Sequence, residues 1–89
     1  MNYKKYRIYL TGPTGSYFVA TSDTVNNLVD LTKYWLERTS AGSYLPDEAK
    51  GQVVLQQVDE TTGAYRFQEA LPYKNRKDII TQVRKLGGR

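Results

Sequence analysis

Leu71–Arg89 reads LPYKNRKDIITQVRKLGGR, and the fold turns on how this stretch is parsed. Pro72 fixes its own φ and brings no N–H to a sheet ladder, so the strand-like run before it ends there and a helix starts soon after. Asn75 stands where the helix needs an N-cap, and Asp78 three residues on can reach back as in a capping box. Ile79, Ile80, Val83 and Leu86 then recur at helical spacing and put their side chains on one face. Gly87 is the expected left-handed C-cap, and Arg84 and Lys85 occupy the last turn, where the helix dipole favours cations.

Upstream of Leu71, Gln52–Val58 (QVVLQQV) and Ala64–Leu71 (AYRFQEAL) are runs of strand type around Asp59–Gly63, which predicts a hairpin with Gly63 in the αL position of its turn. Residues 40–51 (SAGSYLPDEAKG) lack a sustained period and read as a mobile loop, with one helical turn over Asp47–Lys50. Before that loop, Val25, Leu28, Val29, Thr32, Trp35 and Leu36 keep the spacing of an amphipathic helix capped by Ser22 or Asp23, with Trp35 filling the core. The chain opens on an alternating strand, Tyr6, Ile8 and Leu10 on one side and Tyr3, Lys5, Arg7 and Tyr9 on the other. Gly12-Pro13-Thr14-Gly15 is a turn that joins it to Ser16–Thr21 as a first hairpin. The order ββαββα predicts one α+β domain over residues 1–89, a small antiparallel sheet with two helices packed on one face. Both halves follow a hairpin-then-helix plan, but their side-chain patterns do not superpose and no repeat is inferred.

At 89 residues the chain can bury one modest core. It has no cysteine and no histidine, so no disulfide framework, thiolate metal site, Ser–His or Cys–His pair can be built, and only carboxylates remain as metal ligands. Asp47-Glu48 and Asp59-Glu60 are adjacent in expected loops and point apart, so no enzymatic activity, metal or cofactor is expected. Gly12–Gly15 lacks the ending of a phosphate loop and leads into a strand. No apolar run reaches membrane-spanning length and the N-terminal residues lack the apolar core of a signal peptide, so a soluble, cytoplasmic protein is expected.

The net charge of +4 is unevenly placed. Lys4, Lys5 and Arg7 open the chain, and Lys74, Arg76, Lys77, Arg84, Lys85 and Arg89 close it against Asp78 alone, while the middle is net acidic. If the two ends meet, they form one basic face suited to an acidic protein surface or to nucleic acid. Tyrosines interleaved with cations at Tyr3, Lys5, Arg7 and Tyr9 are a pattern in which rings stack bases and cations hold phosphates. The same rings serve protein contacts equally well.

The stretch LPYKNRKDIITQVRKLGGR resembles the signature of the small phycobilisome linker domain, the CpcD-like domain of rod- and core-capping linkers. Leu71-Pro72-Tyr73 and Val83, Lys85, Leu86, Gly87, Gly88, Arg89 occupy the places of that pattern, and KKYRIYLTGP is similar to the family's first strand. The resemblance covers about a third of the chain. It implies a non-enzymatic basic linker that sits within a phycobiliprotein disc at the cytoplasmic face of the thylakoid membrane and helps assemble or terminate a light-harvesting antenna. It needs no cofactor of its own, the bilin pigments being the partner's. The implied contact residues are Lys5, Arg7, Tyr9, Pro72, Tyr73, Lys74, Arg76, Lys77, Gly87 and Gly88, and reversing Arg76 and Lys77 to Glu is expected to weaken binding with the fold intact. The alternatives are a nucleic-acid-binding module using the Tyr3/Lys5/Arg7/Tyr9 strand face and a small phage-type inhibitor acting by protein–protein binding. The segment TSDTVNNLVDL after the first hairpin is also similar to the opening of ubiquitin-like β-grasp domains, which bears on topology only.

Overall fold

A computed structural model of the chain describes residues 4–12 and 15–87. Its elements run β1 (Tyr6–Gly12), β2 (Gly15–Ser22), α1 (Val25–Arg38), α2 (Ser40–Ser43), β3 (Gly51–Val58), β4 (Tyr65–Tyr73) and α3 (Arg76–Gly87). The strands form one sheet of order β2-β1-β3-β4 with every pairing antiparallel, so it is not the mixed sheet of a β-grasp domain. The predicted α+β class and the packing of both long helices on one face hold. Ile8 and Leu10 of β1 and Val53 and Leu55 of β3 meet Leu28, Trp35 and Leu36 of α1 and Ile79, Val83 and Leu86 of α3 in a single core. Alternation along each strand sends the residues between them to the opposite side of the sheet.

Both edge strands carry an irregularity where one residue is extra. In β2 it is Val19, between the partners of Ile8 and Tyr9, and in β4 it is Gln68, between the partners of Leu55 and Gln56. The first lets Val19 and Ala20 both be buried and leaves Phe18 on the far face. Bulges on the two edges also make poor templates for edge-to-edge association.

The shared plan of the two halves extends to the sheet and the helix caps. Tyr9 and Val54 are partners at the middle of the central pair, and an approximate two-fold axis through them exchanges β1 with β3 and β2 with β4. The helices correspond residue by residue: Leu28 with Ile79, Thr32 with Val83 and Trp35 with Leu86 are all buried. Their caps correspond as well, since the Thr24 hydroxyl accepts from Asn27 N–H at 3.3 Å and the Asn75 side chain accepts from Asp78 N–H at 2.9 Å. Core identities differ between the halves, which hides the relation in a sequence comparison.

The cap of α1 is therefore Thr24 and not Ser22 or Asp23. Ser22 is buried, and its hydroxyl accepts from Thr24 N–H and from the Asn27 amide. At the start of α3 the Asp78 carboxylate accepts from Lys74 N–H at 2.9 Å, one residue earlier than a capping box requires. α3 runs through Gly87, making it the last helical residue rather than the cap beyond it. Gly63 has φ 75°, as the turn predicts. Pro13, Thr14, Gly88 and Arg89 lie outside the described residues.

Residues 40–51 are tied down at several points. Thr39 ends α1 and begins α2, its hydroxyl donating to Trp35 O at 2.6 Å and accepting from Gly42 N–H at 3.1 Å. A turn follows over Pro46–Ala49, close to the expected one, while Leu45 and Ala49 pack on the core. The Arg76 guanidinium donates to the carbonyls of Leu36, Gly42 and Leu45, and Arg76 N–H donates to Asp47 O at 2.9 Å. The segment expected to be a mobile loop is thus clamped between the end of α1 and the start of α3.

Candidate functional site

The side of the sheet away from the helices is built in rows that the registers define. One row reads Phe18, Tyr9, Val54, Ala70 from edge to edge, and the next reads Thr21, Arg7, Gln56, Phe67. Ser16, Thr11, Gln52 and Pro72 lie beyond the first of these, and Val58 with Tyr65 beyond the second. Rows are spaced about 7 Å and strands about 4.8 Å, so the four rings spread over a surface the size of a few planar groups. Phe18 is 59% exposed and Phe67 66%, the fractions that mark this face as open, while Tyr9 and Tyr65 are half-buried. Val54 and Val58 are buried yet stand apart from the helix-side core cluster.

The polar groups of this face are neutral or cationic. Arg7 donates from Nε to Gln56 Oε1 at 2.7 Å, and its guanidinium lies 4.4 Å from the centre of the Tyr65 ring. Tyr65 in turn donates its hydroxyl to Lys4 O at 2.8 Å, which anchors the ring beneath the cation. Lys5 Nζ sits 5.4 Å from the Tyr6 ring centre, at the same end of the sheet. No carboxylate belongs to the rows named above. Asp59, just past the end of β3, is paired with Arg66 at 2.9 Å, and the Thr61 N–H chiefly, with Arg66, holds its carboxyl below the usual range.

The residues expected to act together are divided by the sheet. Arg7 and Tyr9 share the open face and Pro72 is exposed at its corner, whereas Lys5, just before β1, lies over the ring of Tyr6, which packs against the helix-side core. Lys74 and Lys77 are exposed around the start of α3, a helix whose apolar side is sunk in the core on the other face. Lys74 and Lys77 therefore do not share the face that carries Arg7 and Tyr9. Tyr73 is buried at 2% exposure, its hydroxyl donating to Thr11 O at 2.9 Å, and it is a core residue rather than a contact. Burial, and secondarily the nearby Tyr17, pushes its phenol pKa up. Arg76 spends its guanidinium on the three carbonyls of the clamp. Gly87 closes α3, and Gly88 and Tyr3 fall outside the described residues.

Phe18, Tyr65, Phe67 and Gln56 were not anticipated on the site. Tyr65 and Phe67 alternate within AYRFQEAL, so the second hairpin's register would have found them; Phe18 needed the bulge at Val19, which no local pattern announces.

Among the described residues no cluster of acidic side chains is placed to hold a metal, and no helix is long and apolar enough to cross a membrane. A cleft of about 300 Å³ between Tyr17, Leu45, Pro46 and Tyr73 is mainly apolar and lies at the Gly12 end of the sheet. Fold and face together define a small α+β domain with one helix-covered and one open, aromatic sheet surface. Compared with family models, with curated proteins and with solved structures, the chain matches none.

Proposed function

We propose that this protein is a non-enzymatic binding module that takes single-stranded nucleic acid on the open face of its sheet. The observation that carries the reading is the grouping of Tyr9, Phe18 and Phe67 with the stacked Arg7–Tyr65 pair on a face whose rows contain no carboxylate. Rings on a sheet stack bases whatever their sequence, each stack contributing about 1–3 kcal/mol, while the cations and the net charge of +4 favour a phosphate backbone. Gln52, Gln56, Thr11 and Thr21 add hydrogen-bonding groups between the rings.

The test is fluorescence anisotropy with a labelled oligothymidylate of about ten nucleotides, a length within the usual site size of such surfaces. Binding should weaken with added salt, and Phe18→Ala with Phe67→Ala should lower affinity tenfold or more, about 1.4 kcal/mol, with an unchanged thermal melt, since both rings are solvent-exposed. Absence of binding, or binding indifferent to both substitutions, would remove the reading.

The second reading is the antenna linker that the sequence resemblance implies. What favours it is that Pro72, Lys74 and Lys77 remain exposed beside α3, whose outer side also carries Arg84 and Lys85. Co-sedimentation with purified phycobiliprotein discs, lost on Lys74→Glu with Lys77→Glu, would support it.

A further inference from the structure

Arg7 differs from the other cations at this end of the molecule in how it is held. Lys4 and Lys5 are exposed, Lys4 paired with Asp23 at 3.4 Å and Lys5 set over the Tyr6 ring, whereas the Arg7 guanidinium is half-buried, pinned at Nε by Gln56 and laid against the Tyr65 ring. Tyr65 is itself fixed through Lys4 O. One donor of the fork is thereby used, and the N–H groups on its two Nη atoms have no partner among the described residues. What remains is a rigid, planar pair of donors whose ordering cost has been met in the free protein.

Such a pair matches two adjacent acceptors in one plane. Guanine offers O6 and N7 side by side on a large stacking purine; cytosine also sets N3 beside O2 when unpaired but on a smaller ring, adenine alternates donor and acceptor, and thymine sets a methyl group beside its O4. Arg7 lies on an inner strand, with the Tyr9 row on one side and Tyr65 on the other and Phe67 in its own row. Tyr65 being covered by the guanidinium itself, a base lying on Tyr9 or Phe67 brings its edge to the fork. A backbone phosphate meets the exposed Lys5 more readily at the sheet end, where Lys4 is already paired with Asp23. We propose that Arg7, positioned by Gln56 and Tyr65, is a specificity-determining residue that selects guanine within the bound strand; the inference rests on the nucleic-acid reading above.

The experiment compares oligothymidylate with the same strand carrying one central guanine, 7-deazaguanine, cytosine or adenine, titrated into the intact protein. One guanine should tighten binding about tenfold, within the range of a good bidentate contact, and 7-deazaguanine should lose most of that gain. Arg7→Lys keeps the charge but not the fork, so it should still bind oligothymidylate while losing the guanine preference. Guanine binding no tighter than thymine, a preference for cytosine, or a guanine preference that survives Arg7→Lys would each overturn the assignment while leaving the open face as a general binding surface. If neither strand binds, the nucleic-acid reading fails and this inference fails with it.

Discussion

Gly51 sits at the first position of β3, where the chain passes so close to β1 that a Cβ there would run into the Thr11 carbonyl, with the Tyr73 hydroxyl beside it. That carbonyl is the acceptor for Tyr73, so the crowding and the hydrogen bond are one feature. Gly51→Ala should cost about 2–3 kcal/mol by overpacking, read as a lower urea midpoint at unchanged slope. Gly12→Ala, whose Cβ would meet the Tyr73 hydroxyl only at an ordinary 3.6 Å, should stay within about 0.5 kcal/mol. Equal losses at both positions would show that the close approach does not govern the site. At the same scale, Tyr73 shows how one residue can be singled out correctly and assigned wrongly. Its place between a proline and a charged helix suggests a surface contact, yet its ring belongs to the core and its hydroxyl ties β4 to β1.

At the scale of the element, α3 was legible almost to the residue. Asn75 caps it, Ile79, Val83 and Leu86 bury its inner face, and its basic last turn is in place. Asn75→Ala should lower stability by about 1 kcal/mol, the usual worth of a cap. Asp78 gives this element a pH dependence. The Lys74 N–H chiefly, and the Gln82 amide after it, favour the charged carboxylate and lower its pKa below 3.8. Stability from this source is fully present above the unfolded value and is lost as pH falls through the folded one. Urea midpoints measured from pH 7 into strong acid should therefore fall below about pH 4, and Asp78→Asn should flatten part of that fall. Asp59 accounts for another part of it, being shifted the same way by Thr61 N–H. A fall of unchanged size in Asp78→Asn would detach the acid limb from this helix. The capping of α1 was less legible, because Ser22, Asp23 and Thr24 are all chemically able to cap and only burial of Ser22 in the core decides among them.

For the molecule as a whole, Arg76 is the residue that joins parts distant in sequence. It bridges the end of α1, α2 and the segment after it from the first turn of α3. Arg76→Met leaves three carbonyls without that donor and should cost about 2–3 kcal/mol, since hydrogen bonds to a charged group are the stronger kind. In a domain of this size that is a melting temperature lower by about 10–20 °C. Arg76→Lys should not restore it, because an ammonium lacks the planar fork; Lys77→Ala, at an exposed position, should melt as the parent does. A paired reversal of Arg76 and Lys77 would thus report on folding before it reported on any partner. By itself the sequence determined the order of the four strands and two long helices, though not the short α2, along with the helix-side core and the absence of thiol and imidazole chemistry, because these follow from residue type and from periods of two and 3.6 along the chain. Only the tertiary structure decided which side of the sheet each cation occupies, that Tyr73 and Arg76 are spent internally, and that Phe18, Tyr9, Tyr65 and Phe67 share one open face. The reason is physical: strand order, register and one bulged residue per edge strand set these neighbours, and all three are fixed by pairings between residues far apart in the chain.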